Sequence, residues 1–350
     1  MRVEVIPATG RERREWDDFV VQQTQGSFLQ AWSWGDFQEA LGLKVRRLKI
    51  LGEGKMLGVC QIIERTLLVR RLSWYAPRGP VLRSVPTGAE RDLASSAFQA
   101  LVDYIRHMHT LAPQAIFWRI DPAWPQGAVK RGWLRELGLQ KSRREIQPRD
   151  TLILSLEPDE DTLLRQMHEK TRYNIRLSRR RMVKVVHYTD AKHVDEFWQL
   201  AQEVERRGRF YYYPRSYYET LMKVLGQRGQ AHLFVARWKK RTVAAIILVG
   251  FGNTLTYVHG ASAYRYRAVM APHLLHWEAI RWAKEQGYRY YDFFGIAPAN
   301  VPRHPWAGIT RFKLGFGGRT QHYIGTWDLA FDANWYEATE WLRLLRRLFR

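Results

Sequence analysis

The feature that most constrains this chain is a pattern of elements that occurs twice. In the first half, Lys44–Ile50 alternates as a strand, Gly52–Lys55 (GEGK) turns it, and Leu57–Glu64 returns. Leu72–Leu82 reads as a third strand running into a Pro/Gly loop. Leu93–His109 then carries apolar residues at helical spacing, and Ala115–Ile120 is a strand closed by Asp121-Pro122. The second half repeats the order. His232–Trp238, the turn Lys239–Arg241 and Val243–Gly250 form a hairpin. Thr254–Ala261 follows as a strand, Pro272–Gln286 as a helix, and Tyr288–Phe294 as a strand closed by GIAP. A meander, a helix and a further strand call for a mixed sheet with one parallel crossover in each copy. The expected fold class is therefore α/β, with two domains of related fold produced by internal duplication.

Between the copies the chain reads as helical. Asp159–Met182 opens on an acidic first turn suited to a helix N-terminus, and Ala191–Arg207 and Ser216–Gln227 follow as shorter helices. Trp335–Arg350 is a last helix, with Trp341, Leu344, Leu345 and Leu348 against Arg343, Arg346, Arg347 and Arg350. With 46% hydrophobic residues in 350, a packed core is expected rather than general disorder. The single cysteine, Cys60, excludes a disulfide framework, a Cys-rich zinc site and a CxxC redox centre. The opening MRVEVIPATGRERREWDD contains no apolar core of a secretory signal, and no apolar run reaches the roughly 20 residues of a membrane span. A soluble protein of a reducing compartment is the expectation. The formal net charge of +22 points to a polyanionic partner: nucleic acid, anionic lipid or a phosphorylated substrate.

Several chemistries have no signature here. GEGK lacks the spacing and the Ser/Thr of a P-loop, and neither a GxSxG elbow nor an HExxH motif occurs. His107 and His109 are two apart on a helix and point in different directions, a poor metal pair. No metal and no cofactor are expected. An enzyme made from this chain would work by positioning and electrostatics. The half-domain order also fits acyl-CoA-dependent N-acetyltransferases, whose Gly-rich loop holds a pyrophosphate at a helix N-terminus. At the matching place this chain reads Tyr266-Arg267-Ala268-Val269-Met270-Ala271-Pro272, without glycine, and the first copy offers only Thr87-Gly88-Ala89.

Five stretches carry a resemblance. They are GSFLQAWSWGDFQEALG (Gly26–Gly42), WYAPRGPVL (Trp74–Leu82), EKTRYNIRLSRRRMVKV (Glu169–Val185), APHLLHWEAIRWAKEQGYRYYDFFGI (Ala271–Ile296) and GITRFKLGFGG (Gly308–Gly318). In this order they resemble the FemABX family of peptidoglycan-bridge aminoacyltransferases, over nearly the whole chain. The resemblance implies two acetyltransferase-like (GNAT-like) domains: residues 1–155, completed by a returning segment 325–350, and residues 156–324. Ala191–Gln227 is too short for the coiled-coil arm of some members, so the arm-less type is expected. The resemblance also implies transfer of an amino acid from aminoacyl-tRNA, the donor substrate, to an amine on the stem peptide of lipid II or of a UDP-linked muropeptide precursor. A monomer is expected, acting in the cytoplasm at the inner face of the membrane.

Lys313, in Arg311-Phe312-Lys313, matches the family lysine placed to stabilise the transition state or the tRNA 3′ end; the alternative is a solvated strand residue. Phe312 is its packing or stacking wall. Arg215, Tyr217 and Tyr218 (PRSYYETL) resemble the family's group around the precursor's sugar and phosphates, with Tyr213 in reserve if the alignment slips; a helix start with one ring buried is the competing reading. Tyr75 and Arg78 reach the same groove or, for Arg78, shape the loop at Gly79-Pro80. Gln38 stands where several members have a lysine, and supplies a hydrogen bond but no charge. Asp292 sits in an otherwise apolar strand, where a carboxylate is costly unless partnered. It either orients the incoming amine or accepts its proton, or else anchors the next loop through backbone N–H groups.

Within the helical stretch, Arg172, Arg176, Arg179 and Arg180 share one face, opposite Leu164, Met167, Thr171, Ile175, Ser178 and Met182. Such a stripe suits the phosphate backbone of tRNA. Asn174, on the apolar edge, is either a site or a packing residue. The tail helix either packs on its own protein or rests on anionic lipid with Trp341 and Leu345 inward. Two other functions stay open: an acyl-CoA N-acyltransferase and a non-catalytic RNA-binding protein.

Overall fold

A computed structural model describes residues 2–67, 70–89, 92–208, 210–299, 301 and 303–348, with side chains in the last helix described to Leu342. The first half contains β1 (Val3–Pro7), α1 (Arg13–Gln22), α2 (Trp32–Ala40), β2 (Val45–Gly52), β3 (Lys55–Thr66), β4 (Leu72–Ala76) and β5 (Val81–Leu82). It continues with α3 (Leu93–Leu111), β6 (Ala115–Ile120), α4 (Arg131–Glu136) and β7 (Leu139–Lys141). The second half has β8 (Asp150–Ser155), α5 (Glu160–Gln166), α6 (Glu169–Arg180), β9 (Lys184–Tyr188), α7 (Val194–Arg206) and α8 (Arg215–Val224). Then come β10 (Ala231–Trp238), β11 (Arg241–Phe251), β12 (Thr254–Ser262), α9 (Ala271–Glu285), β13 (Tyr290–Gly295), α10 (Ala307–Leu314) and β14 (Arg319–His322). The tail is β15 (Trp327–Ala330) and α11 (Ala333–Leu348).

These elements form two compact units, residues 1–149 with 322–350, and residues 150–321. The first sheet has the order β1-β2-β3-β4-β6-β15-β7, with β5 beside β3; the second runs β14-β8-β13-β12-β11-β10-β9. Each contains a single run of consecutive antiparallel strands followed by one parallel pair, β4 with β6 and β12 with β13. α3 and α9 make the two crossovers, as the repeated order of elements requires. Strand β8, assigned from sequence to the first domain, pairs with β13 in the second sheet. β15 inserts between β6 and β7 in the first sheet. Among the described residues no helix is long and apolar enough to cross a membrane.

The expected strand Leu72–Leu82 is broken. β4 and β5 pair separately with β3, and between them Arg78 has φ +52. Between them β3 loses its strand partner at Gln61, and the carboxamide of Gln30 replaces it. Gln30 Oε1 accepts from Gln61 N at 2.8 Å, while its Nε2 donates to Gln61 O at 3.2 Å and Pro77 O at 2.8 Å. A Cβ on residue 79 would lie 2.5 Å from Gln30 Nε2, which is why glycine stands there. Gln30→Ala would leave three buried backbone groups unpaired, and a loss of about 3 kcal/mol in a denaturant melt is expected; a loss under 1 kcal/mol would mean that water replaces the side chain.

The stretch Asp159–Met182, expected as one helix, is two. Asp159 caps α5 by accepting from Thr162 N at 2.7 Å, and His168 caps α6 by accepting from Lys170 N at 3.2 Å. Met167 between them is extended and buried. In α11, Tyr336 packs under the first sheet against Ile116 and Phe117, whereas Trp341 is exposed and is not part of that packing. The expectations for Arg343, Leu344, Leu345, Arg346, Arg347, Leu348 and Arg350 lie outside the described side chains.

Candidate active site

Strands β12 and β13 pair only at Thr254–Tyr290, Leu255–Tyr291 and Thr256–Asp292, although β12 runs on to Ser262 and β13 to Gly295. On its other side β13 also slips register against β8 between Asp292 and Gly295. The carbonyls of Phe293 and Gly295 therefore need a donor from outside the sheet. Lys313 supplies it from α10: its Nζ donates to Phe293 O and to Gly295 O, each at 2.7 Å. The residue is helical and buried, not a solvated strand residue.

An ammonium has three N–H donors. Two are consumed here, and the third has no hydrogen-bond partner among the described residues. Burial brings the Lys313 ammonium down to about 8, against the opposing pull of Asp292. The Tyr257 ring lies 5.2 Å from Nζ. His276, also buried, contacts Phe293, Phe312 and Phe316 at 5.4 to 5.6 Å between ring centres, and its Nδ1 is 2.8 Å from the Tyr291 hydroxyl. Burial first, then the Lys313 charge, push its imidazole down to about 3, so it is neutral. Phe312 stands edge-on to His273 and Phe316. His273 in turn lies 3.3 Å from Asn174, which places Asn174 in the same packed group.

The Asp292 carboxylate is not isolated. Its Oδ1 accepts from Thr151 Oγ1 at 2.5 Å and from Phe294 N at 2.7 Å. Phe294 has φ +59, so this bond holds the bend by which β13 leaves its partner. Of the two readings of Asp292, loop anchor and amine-orienting group, these contacts match the first.

The aromatic group of the second unit is compact. Tyr213 and Tyr217 stack at 4.0 Å, and both approach His259, as does Tyr218 at 5.1 Å. Burial pushes the His259 imidazole down to about 4. Tyr218 is wholly buried and its hydroxyl accepts from Tyr213 N at 3.2 Å, so it is a core residue and not a ligand contact. Tyr213, half exposed, offers a more open ring. Arg215 is paired with Asp195 at 2.8 Å and Glu219 at 3.1 Å, which weakens it as a phosphate ligand.

In the first unit, Tyr75 and Arg78 converge on a residue that sequence reasoning passed over as a strand end. Buried Asp121 accepts from the Tyr75 hydroxyl at 2.7 Å, Arg78 N at 2.6 Å and Gln147 N at 3.1 Å. Desolvation raises its carboxyl to about 6 even so. The Arg78 guanidinium donates to Pro148 O at 2.7 Å and lies 4.5 Å over the Tyr323 ring. These contacts match the structural reading of Arg78 at Gly79-Pro80, and they occupy the Tyr75 hydroxyl in the same buried group. Gln38 is buried in α2, where a charged lysine would be costly.

The arginine stripe is also partly consumed. Arg172 folds back to donate to Met167 O and Arg165 O, capping the carbonyl end of α5. Arg179 pairs with Glu278 at 2.8 Å. Arg176 and Arg180 face solvent, with Arg180 over the Tyr173 ring at 5.9 Å. A cavity of about 290 Å³ lies between α6, β9 and α9, on His187, Phe234 and Trp282, and of the expected site residues only Arg179 lines it.

The missed residues carry faint signals. His276 sits on the apolar face of a helix, and Asp121 follows a strand that is apolar except for Arg119; a polar group in either place calls for a partner.

Residues 12–131 match the model of the FemAB family, and residues 169–313 match the model "Acetyltransferase (GNAT) domain". The lipid II:glycine glycyltransferase of Staphylococcus aureus (strain USA300) is 23% identical over 406 aligned positions covering 93% of each chain. That stretch exceeds this chain's length, so the relative carries segments absent here. The crystal structure of FemX superposes with a TM-score of 0.81 at 21% identity, covering 96% of this chain and 99% of that one. A tandem GNAT protein from the clavulanic acid biosynthesis pathway gives 0.54 at 13%, covering 93% and 98%. Both units are GNAT-like α/β folds.

Proposed function

We propose, since the chain belongs to the FemAB family, that it is an acyltransferase of peptidoglycan-bridge synthesis: it moves an amino acid from aminoacyl-tRNA to an amine on the stem peptide of a cell-wall precursor. The observation that carries this reading is the third N–H of the buried Lys313 ammonium, unpartnered among the described residues and placed where β12 and β13 part.

An aminoacyl ester is already activated and a neutral amine is a competent nucleophile, so the protein needs to align them and stabilise an oxyanion. The amine nitrogen bonds to the ester carbonyl carbon, the bond from that carbon to the ribose oxygen breaks, and the amine proton leaves on that oxygen. Lys313 donates its free N–H to the charge that develops on the carbonyl oxygen. In a buried site this interaction is worth far more than in water. Phe312 bounds the site, and Asp292 fixes the bend that exposes it. Tyr213 and Tyr217 are the aromatic surface for the acceptor's sugar. The relatives' names specify lipid II, and we assign a lipid-linked acceptor, met at the cytoplasmic face of the membrane.

Because the Lys313 pKa lies below its ordinary value, its positive charge is lost as pH rises through about 8. Transfer rates should fall above that pH, and this alkaline limb should vanish in Lys313→Met. A wild-type rate that climbs unchanged to pH 10 would remove the ammonium from the mechanism. The competing donor, an acyl-CoA, is disfavoured by the glycine-free segment before α9. Acyl transfer from acyl-CoA, with none from charged tRNA, would establish that reading instead.

A further inference from the structure

We infer that the phosphate backbone of the RNA donor is held mainly by a surface of the second unit outside α6: the tip of the β10–β11 hairpin together with the segment Tyr264–Val269. This rests on the reading of a tRNA donor.

Trp238 and Arg241 face each other across a two-residue turn, Lys239-Lys240, in which both residues have positive φ (+47 and +64). Both lysines are exposed at this tight turn, with the Lys239 ammonium 4.7 Å over the Trp238 ring. Tyr264–Val269 lies beside this tip, since the Tyr266 ring is 5.8 Å from that of Trp238. Arg181 ties the two together: its carbonyl accepts from Trp238 Nε1 at 3.0 Å and its guanidinium donates to Ala268 O at 2.9 Å.

Exposed arginines lie on the aromatic rings. The Arg267 and Arg207 guanidinium carbons are 4.2 and 5.1 Å from the Tyr264 ring centre, and that of Arg265 is 5.8 Å from Tyr266. A guanidinium packed on a ring keeps its N–H edge free and loses less freedom when it binds a phosphate. Among the described residues, none of Arg181, Arg207, Lys239, Lys240, Arg265 and Arg267 is in an ion pair; Glu203 instead accepts from Tyr264 N at 3.2 Å. On α6, by contrast, two of the four expected arginines are already engaged.

Position favours RNA over lipid. Tyr264–Val269 follows β12, the strand that parts from β13 around Lys313, and leads directly into α9. A polyanion on this surface runs toward the parted strands. The Tyr264 ring is covered by guanidinium groups, so a shape-led contact with a duplex backbone is expected rather than base stacking.

The test is fluorescence-anisotropy binding of uncharged tRNA to the full chain at several salt concentrations. The variants are K239A/K240A/R265A/R267A and, for α6, R176A/R180A. The first should bind at least about tenfold more weakly at physiological salt, with a log–log salt slope shallower by about 3; the second should change both less. Circular dichroism melts confirm that the variants fold. Wild-type binding that the four-site variant leaves unchanged overturns this inference alone, whereas a wild-type chain that binds no tRNA overturns the donor reading with it. Loss of adhesion to phosphatidylglycerol vesicles with tRNA binding intact would make the patch a lipid surface, and also overturns it.

Discussion

Lys313→Met should lower kcat for aminoacyl transfer by about 10²- to 10³-fold, the loss seen when a donor to a developing oxyanion is removed. KM for the acceptor should change little. The fold should survive. Methionine leaves the Phe293 and Gly295 carbonyls without their donor, at about 1–3 kcal/mol each. The same change removes the cost of holding a charge away from water, which offsets much of that loss. A stopped assay with a circular dichroism melt separates the two effects. Turnover within threefold of wild type would take Lys313 out of the site.

Asp328→Ala should be the most destabilising single substitution in the first unit. Arg119 on β6 stands opposite Asp328 on β15, and the pair is bidentate at 2.6 and 2.7 Å. The Tyr336 hydroxyl donates to the same carboxylate at 2.7 Å, and Glu340 lies 3.4 Å from the guanidinium. All of it is buried. Truncating the aspartate strands a buried guanidinium with one longer contact, at about 3–5 kcal/mol. Urea unfolding should show this loss, and R119M/D328L should recover part of it, because the guanidinium and the carboxylate opposite it are then both gone while Glu340 loses only its longer contact. A loss below 1 kcal/mol would mean that the tail is not part of the first unit's core.

The repeat of elements was legible because hydrophobic alternation and turn residues are local signals; Ala115–Ile120 is a strand with the bounds read from sequence. The break at Met167-His168 was not, since both flanking segments favour helix and the break is made by a histidine cap and by Arg172 returning to the preceding carbonyls. Lys313 stands out by motif, yet the short run around it has no clear period, and its helix and burial depend on where β13 leaves β12. The arginine stripe looks like a free surface in sequence because sequence counts charges without their partners; Arg179 meets Glu278 from a helix about a hundred residues on. Arg119 and Asp328 are 209 residues apart, and nothing in either neighbourhood announces the other.

The most direct measurement is the intact mass of a lipid II analogue after incubation with the chain and a mixture of charged tRNAs, followed by fragmentation of the product. A gain of one amino-acid residue mass, located on a stem-peptide amine and lost with Lys313→Met, is expected. An unmodified acceptor, alongside a gain of an acyl group when acyl-CoA replaces tRNA, would contradict aminoacyl-tRNA-dependent transfer.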